Sequence, residues 1–332
     1  MSRHLGTASL RLKALSSVLY LEVCRISGFR LTPRPVLLIF EVNQICNSRC
    51  RYCAAWTRPA EVEATLTHEE AIDLIDQAAD LGVFAISFTG GGEPLLRPDL
   101  AALISHAKRK GLHVALTTNG FLVAERNVHD LLRADVITVS IDSLSDTVYE
   151  SHRGVHGGLD KALRGLTTLL AHKKDTYILV QAVLDEENWN EVGRINEYFY
   201  RLGVDTVFQP AYNHFFDIPK EEWEQQTRHL KFHSAVTRWL FEPFLRQFPE
   251  IANGRGTIPC LAGSFAFVVT HRGHVKVCHI NEVVEADLRV TRLRDAWAGL
   301  RHARRYVAGS ERNCICGDTA YIPYAMALRR WT

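Results

Sequence analysis

Between residues 36 and 210 the sequence alternates short apolar runs with amphipathic stretches, six times over. This alternation limits the fold more than any other feature. Consecutive parallel strands need long crossovers, and a crossover helix is the usual solution. The first run, Val36-Leu37-Leu38-Ile39-Phe40-Glu41-Val42, is almost continuously apolar, as expected of a strand in a parallel sheet covered by helices. Thr67-His68-Glu69-Glu70 then has the spacing of a capping box. Ala71, Leu74, Ile75, Ala78 and Leu81 follow at helical spacing, with Gly82 as the stop. The same reading gives strands over 83–88, 112–116, 136–141, 177–183 and 204–209. Helices are expected over 99–110, 123–132, 159–172 and 189–202. Six such units make an α/β chain with a parallel sheet. They are too few for a closed eight-stranded barrel.

The flanks break the rhythm and suggest four regions. Residues 1–35 read as a basic helical segment, 36–210 as the repeating α/β body, and 211–258 as a helical bridge with one aromatic-rich helix over 220–248. Residues 259–332 read as a small C-terminal domain of hairpin and helix, the hairpin pairing 265–270 with 275–278. At 332 residues the chain suits one large α/β body with an appendage. A net charge of +2 gives no argument for a nucleic-acid partner. Apolar stretches of the length a membrane span needs, about 18 residues, are missing. Residues 8–30 are apolar and basic, and Arg11 and Lys13 interrupt them. A helix packed on the body is favoured there over contact with a membrane surface, and a cytoplasmic location is expected.

Eight cysteines then have to be explained. Cys24 stands alone in the N-terminal stretch and reads as a buried structural thiol. Cys46, Cys50 and Cys53 have the spacing C-x3-C-x2-C, in a loop leaving the C-terminal end of the first strand. That is the end of an α/β barrel where chemistry is built. Three soft ligands can hold three irons of a cubane cluster and leave the fourth iron open. Zinc and disulfides compete for such cysteines, although structural zinc usually takes paired C-x2-4-C motifs and a chain of this size and pattern is not a disulfide scaffold.

The triplet, with Tyr52 just before its last cysteine, resembles the signature of the radical S-adenosylmethionine (SAM) superfamily. The resemblance covers roughly residues 36–210 and implies a partial (β/α)6 barrel. It also implies a [4Fe–4S] cluster whose open iron binds SAM. One electron from the cluster would cleave SAM to methionine and a 5′-deoxyadenosyl radical, which takes a hydrogen from substrate. Gly90-Gly91-Gly92-Glu93-Pro94 matches the superfamily's second signature, so Gly91, Gly92 and Glu93 are expected against the methionyl amine. By the same resemblance Thr118, in Thr117-Thr118-Asn119-Gly120, faces the cofactor, and Ser140 meets the ribose. Arg153 is matched to the methionyl carboxylate and Leu184 to the adenine.

Near the C-terminus, Cys260 and Cys278 frame Gly273 in the pattern C-x12-G-x4-C, and Cys314 and Cys316 follow. This resembles the auxiliary-cluster appendage known as SPASM or, when shortened, twitch. It implies one auxiliary [4Fe–4S] cluster on Cys260, Cys278, Cys314 and Cys316. The Cys314-Ile315-Cys316 spacing departs from the usual C-x2-C, so one of that pair could be free, and zinc competes for the site. His271, His274 and His279 surround the hairpin and read as ordinary loop residues or cluster-tuning groups.

The expected function is an enzyme that abstracts hydrogen from a small molecule such as a sugar, aminocyclitol or nucleoside. Oxidation, epimerisation or bond formation would follow, with a flavodoxin or ferredoxin as reductant. The alternatives are a peptide-modifying maturase and, in another class, a non-enzymatic iron–sulfur sensor or electron carrier. Catalytic side chains are not assigned by any motif, and Tyr212, His214 and Cys316 are the weak candidates.

Overall fold

A computed structural model describes residues 33–57, 64–211, 214–255, 262–279 and 283–300. The first six strands are β1 (Leu37–Glu41), β2 (Ala85–Thr89), β3 (His113–Thr118), β4 (Val136–Ser140), β5 (Tyr177–Leu184) and β6 (Asp205–Pro210). Each pairs in parallel with its sequence neighbour. The helices between them are α1 (His68–Asp80), α2 (Leu100–Arg109), α3 (Val128–Leu131), α4 (Asp146–Arg153), α5 (Gly158–His172) and α6 (Val192–Arg201). The expected order of elements is therefore present. The capping box of α1 forms from both sides: the Thr67 hydroxyl accepts from Glu70 N–H, and the Glu70 carboxylate accepts from Thr67 N–H.

Side-chain alternation divides the sheet into two faces. Leu38, Phe40, Ile86, Phe88, Val114, Leu116, Ile137, Val139, Ile178 and Val180 are buried in the hydrophobic core. The alternate residues, among them Ile39, Ser87, Ala115, Thr138, Leu179 and Gln209, line a cavity of about 460 Å³ on the concave face. The sheet is open: its order is β6-β5-β4-β3-β2-β1-β7-β8-β9, with β6 at one edge.

Three expectations need correction. The bridge is two helices, α7 (Lys220–Thr227) and α8 (Ala235–Ala252), rather than one helix over 220–248. Asp205 at the start of β6 explains the break: its buried carboxylate accepts the backbone N–H groups of His233 and Ser234, which fixes the entry into α8. Ser234 then caps α8 by accepting from Thr237 N–H. The helix expected over 123–132 is formed only at Val128–Leu131. Helix α4, in contrast, had no helical expectation at all. Its run Asp146–Arg153 has few apolar residues, and a left-handed Gly154 (φ 64°) ends it.

The C-terminal hairpin comprises β7 (Ala266–Val269) and β8 (His274–Lys276), extended by β9 (Ala286–Asp287). Strand β7 also pairs in parallel with β1, so the hairpin continues the barrel sheet directly. Helix α9 (Leu293–Gly299) covers it through buried Trp297, whose ring lies 5.1 Å from that of Phe267. None of the described helices is long and apolar enough to cross a membrane.

Candidate functional site

The loop Cys46–Cys53 leaves β1 and is tied in turn to the C-terminal corners of β2, β3, β4 and β5. At the β2 corner, Glu93 N–H donates to the Ile45 carbonyl at 2.8 Å, and Asn43 Nδ2 donates to the Glu93 carbonyl at 2.8 Å. A Cβ on Gly92 would lie 2.1 Å from the Ile45 carbonyl oxygen, and one on Gly91 would lie 2.6 Å from that of Asn43. Both glycines are thus required by the close approach of two backbones. Arg97, 7% exposed, braces the same corner by donating to the carbonyls of Val42, Leu66 and Thr67.

Glu93 is 3% exposed and its carboxylate is fully engaged. It accepts from Thr118 Oγ1 at 2.6 Å, Asn119 N–H at 2.8 Å and Leu95 N–H at 3.2 Å. Burial still pushes its carboxyl pKa up, and the three donors only partly oppose that. Glu93 therefore joins the β2 and β3 corners, and Thr118 belongs to the same joint. Asn119, at the β3 corner, donates to Asn47 Oδ1 at 2.6 Å and so reaches the thiol loop.

The β4 corner contributes Asp142, which is fully buried. Its Oδ1 accepts from Arg153 Nη2 at 2.6 Å and from Val183 N–H at 2.9 Å. Its Oδ2 accepts from Tyr52 Oη at 2.6 Å. Arg153 Nε also lies 2.6 Å from Oδ2, close enough for ion pairing but off line for a hydrogen bond. The guanidinium stands 5.6 Å from the Tyr52 ring centroid, and its Nη1 is 3.8 Å from Cys50 Sγ. Burial opposes the charge on Arg153, but Asp142 together with Tyr52, Cys50 and Tyr149 more than offsets it and keeps the guanidinium firmly protonated. The end of α4 also holds the loop backbone: Arg49 N–H donates to the Arg153 carbonyl at 2.9 Å, and Arg51 N–H to that of His152 at 3.0 Å. A Cβ at Gly154 would lie 2.7 Å from the Arg49 carbonyl oxygen.

The β5 corner contributes Asp185, 1% exposed, which meets Arg51 from the loop and His152 from α4. Of the expected SAM contacts, Leu184 is fully buried and its carbonyl accepts Ala211 N–H at 2.9 Å. Ser140 ends β4, where its carbonyl faces Tyr149 Oη at 3.5 Å. His214 is half exposed at the surface and paired with Glu186. Tyr212, Cys260, Cys314, Cys316 and Cys24 lie outside the described residues. Cys278 is buried after β8, and the adjacent His279 pairs with Glu41 at 2.9 Å. His271 is buried, and its carbonyl accepts Leu66 N–H.

The three loop thiols are free: Cys50 buried, Cys46 half-buried, Cys53 exposed. Burial pushes the Cys46 thiol up to about 11, and raises Cys50 too, with Arg153 acting in the opposite direction. A metal centre would reverse both penalties, because a coordinated thiol is deprotonated outright. Among the described residues no group of three or more His, Cys, Asp or Glu closes on one metal ion. A cubane bonds each thiolate to a different iron, so its ligands need not share a single point. The donor set therefore fits a cluster. A further open group stands beside it: buried Asn43 Oδ1 has no hydrogen-bond partner.

Sequence reasoning did not assign Arg51, His152, Asp142 or Asp185 to the site. Asp142 and Asp185 carried a usable signal, since each is an acid immediately after an apolar strand. His152 carried none, because α4 itself was not expected.

An open parallel βα barrel, with a three-thiol loop held by successive strand-end corners, is the class of protein these features define. The family model of the radical SAM superfamily matches residues 40–199. An AdoMet-dependent heme synthase of Oleidesulfovibrio alaskensis is 26% identical over 321 residues, covering 87% of this chain and 81% of the relative. A PqqA peptide cyclase of Gluconobacter oxydans is 30% identical over 270 residues, 75% of this chain and 72% of the relative. Among solved structures, Streptococcus suis SuiB bound to S-adenosylmethionine superposes with a TM-score of 0.59 at 16% identity over 79% of this chain. The chain spans 63% of SuiB, under two thirds of its length. The chain belongs to the radical SAM superfamily and is an enzyme. Membership implies a [4Fe–4S] cluster and SAM.

Proposed function

We propose that the enzyme uses radical SAM chemistry to modify a peptide, acting on an uncharged residue that enters the lumen. The observation carrying this reading is the lumen wall. Among the described residues lining it there is no Lys, Arg, Asp or Glu. Ser87, Thr89, Thr117, Thr138, Gln181 and Gln209 supply neutral polar groups, while Leu37, Ile39, Leu179, Val207, Leu240 and Phe241 supply apolar ones. Such a wall suits a neutral side chain and peptide groups. It suits an aminocyclitol poorly, since a buried ammonium needs an acid beside it. The peptide cyclases among the relatives support the same choice over the small-molecule substrate expected from sequence.

Cys46, Cys50 and Cys53 would hold the cluster. When bound and reduced, it supplies the electron that cleaves SAM to methionine and a 5′-deoxyadenosyl radical. The chain's own task is to bind, orient and exclude water. The backbones of Gly91 and Gly92 approach the methionyl end. The Glu93 carboxylate is occupied by three donors, so it acts as a brace, and Asn43 Oδ1 is the nearby acceptor for the ammonium group. Arg153 keeps its hold on Asp142 while serving the methionyl carboxylate. Ser140 and Leu184 would contact ribose and adenine. Cys260, Cys278, Cys314 and Cys316 would hold an auxiliary cluster in a C-terminal region from 259, and a flavodoxin or ferredoxin would supply electrons.

The test is anaerobic reconstitution followed by turnover with SAM, reductant and peptides encoded beside the gene. Peptide-dependent 5′-deoxyadenosine and a peptide lighter by two hydrogens are expected. A second reading, action on an iron porphyrin, is favoured by the heme synthase relative, which matches most of the chain. Turnover with iron coproporphyrin and none with any peptide would replace the first reading by the second. About eight irons per chain are expected if the auxiliary cluster is present, and about four with bound zinc would reject it.

A further inference from the structure

The side chain between two of the loop cysteines does not face the site. Arg51 separates Cys50 from Tyr52 and turns away into a pocket formed by the β5 corner and α4. Its Nη2 and Nε donate to Asp185 Oδ2 at 2.5 and 3.1 Å, and its Nη1 donates to Glu187 Oε1 at 2.6 Å. Its Nη2 also lies 3.2 Å from His152 Nε2. His152 is fully buried and lies 3.2 Å from Asp185 Oδ1. Asp185 cannot drift, because its own N–H donates to Asn188 Oδ1 at 2.9 Å. Asn188 is fully buried and in turn donates to the carbonyls of Asp142 and Val183. The anchor is thus rigid and built entirely from the βα corners.

We propose that Asp185, Arg51 and His152 form a latch that sets the shape of the thiol loop before any cluster is inserted. They are positioning residues, acting through Cys50 and Cys53 and touching neither substrate nor SAM. Two observations carry the inference. The charge on Arg51 is spent on Asp185 and Glu187, so it is not offered to a ligand. The side-chain latch also coincides with the backbone bonds from Arg49 and Arg51 to the end of α4, so both hold one segment in one geometry. A planar fork gripping a buried carboxylate fixes orientation as well as distance. The proposal rests on the loop being the cluster site. Its test on apoprotein does not depend on the substrate reading.

The experiment is amide hydrogen exchange on the full-length apoprotein, comparing wild type with Asp185→Asn, Arg51→Gln, the double variant and Arg51→Lys. Both single variants should speed exchange in residues 47–53 by roughly tenfold or more, with β1 to β6 unchanged, as expected for a local opening. The double variant should be no worse than the worse single, because the partners act as a unit. Arg51→Lys should recover part of the protection, since it keeps the charge and loses the fork. After reconstitution, iron transfer to a chelator should be faster in the same rank order. Unchanged loop exchange in Arg51→Gln overturns the proposal. So does acceleration spread equally over the strands, which would make Asp185, Arg51 and His152 a general stability element.

Discussion

The thiol loop and the lumen below it are lined by opposite kinds of side chain. Around the loop stand Glu93, Asp142, Arg153, Asp185 and Arg51, all charged groups and mostly buried. Along the described lumen wall the only ionisable groups besides Tyr177 are His113 and His279. Buried charges of this kind persist only when paired or hydrogen-bonded: Glu93 joins the β2 and β3 corners, Asp142 joins the β4 corner to β5 and to the loop, and Asp185 joins the β5 corner to the loop and α4. On the proposed function the difference separates two tasks. Holding a reactive centre calls for fixed geometry, which buried ion pairs specify. Admitting a substrate calls for space and adaptable hydroxyl and amide groups.

The largest expected break in this contrast is Arg153→Met. It leaves Asp142 buried with only Tyr52 and Val183 N–H as donors, and removing one partner of a buried pair typically costs about 3–5 kcal/mol. Urea denaturation of the apoprotein should show a loss of that order. An unchanged midpoint would mean that the charges at the loop are incidental. Next is Gly92→Ala, whose Cβ would lie 2.1 Å from the Ile45 carbonyl oxygen and 2.5 Å from Asn43 Oδ1. The two corner loops must separate, for an expected loss of about 1–3 kcal/mol. SAM cleavage should fall more than that loss implies, because the glycines and Cys46 share the displaced segment.

The βα order, the open sheet and the Thr67 capping box were legible because hydrophobic period and cap chemistry are local signals. The signature residues also come together: Glu93, Thr118 and Arg153 all lie in the network under the loop. Their partners were not legible. Arg153 could be matched to a ligand carboxylate, but its pairing with Asp142 depends on α4 turning back over β4, and α4 has too few apolar residues to announce itself. Arg51 had no role assigned to it from sequence. Its acceptor, Asp185, lies far along the chain at the end of another strand, and only the fold makes them neighbours. The β1–β7 pairing was hidden for the same reason, since parallel register between distant strands leaves no local mark.

A pH experiment sharpens the contrast at the loop. Burial works against the Asp185 carboxylate, but hydrogen bonds from His152 and Arg51 more than offset this and lower its pKa to about 2. A carboxyl depressed in the folded state contributes stability above its unfolded value. That contribution is lost as pH falls from about 4 to about 2, and it amounts to about 2 kcal/mol. Other carboxylates, Asp76 and Asp99 among them, are depressed as well and add to the acid dependence of the wild type. The useful quantity is therefore the wild-type curve minus the Asp185→Asn curve. That difference should be largest near neutrality and shrink across this acid window. A difference that stays flat with pH would show that Asp185 is not held as an ion.

The smallest effect on stability is expected in the lumen, and there the contrast with the loop is most informative. Thr138 on β4 is nearly buried, lines the cavity, and has neighbours across the sheet that are neutral. Thr138→Val changes one hydroxyl for a methyl of similar size. With the strand register intact, the stability change should stay within about 1 kcal/mol. The effect should instead fall on turnover, as a rise in KM of several-fold with SAM cleavage in the absence of substrate unchanged. Thr138→Asp provides the opposing case. It places an acid on a wall that has none among the described residues, and so should cost more in both stability and KM. If Thr138→Asp instead lowers KM for an amine-bearing substrate, the neutral wall is not what selects the substrate, and the division of labour between loop and lumen would have to be redrawn.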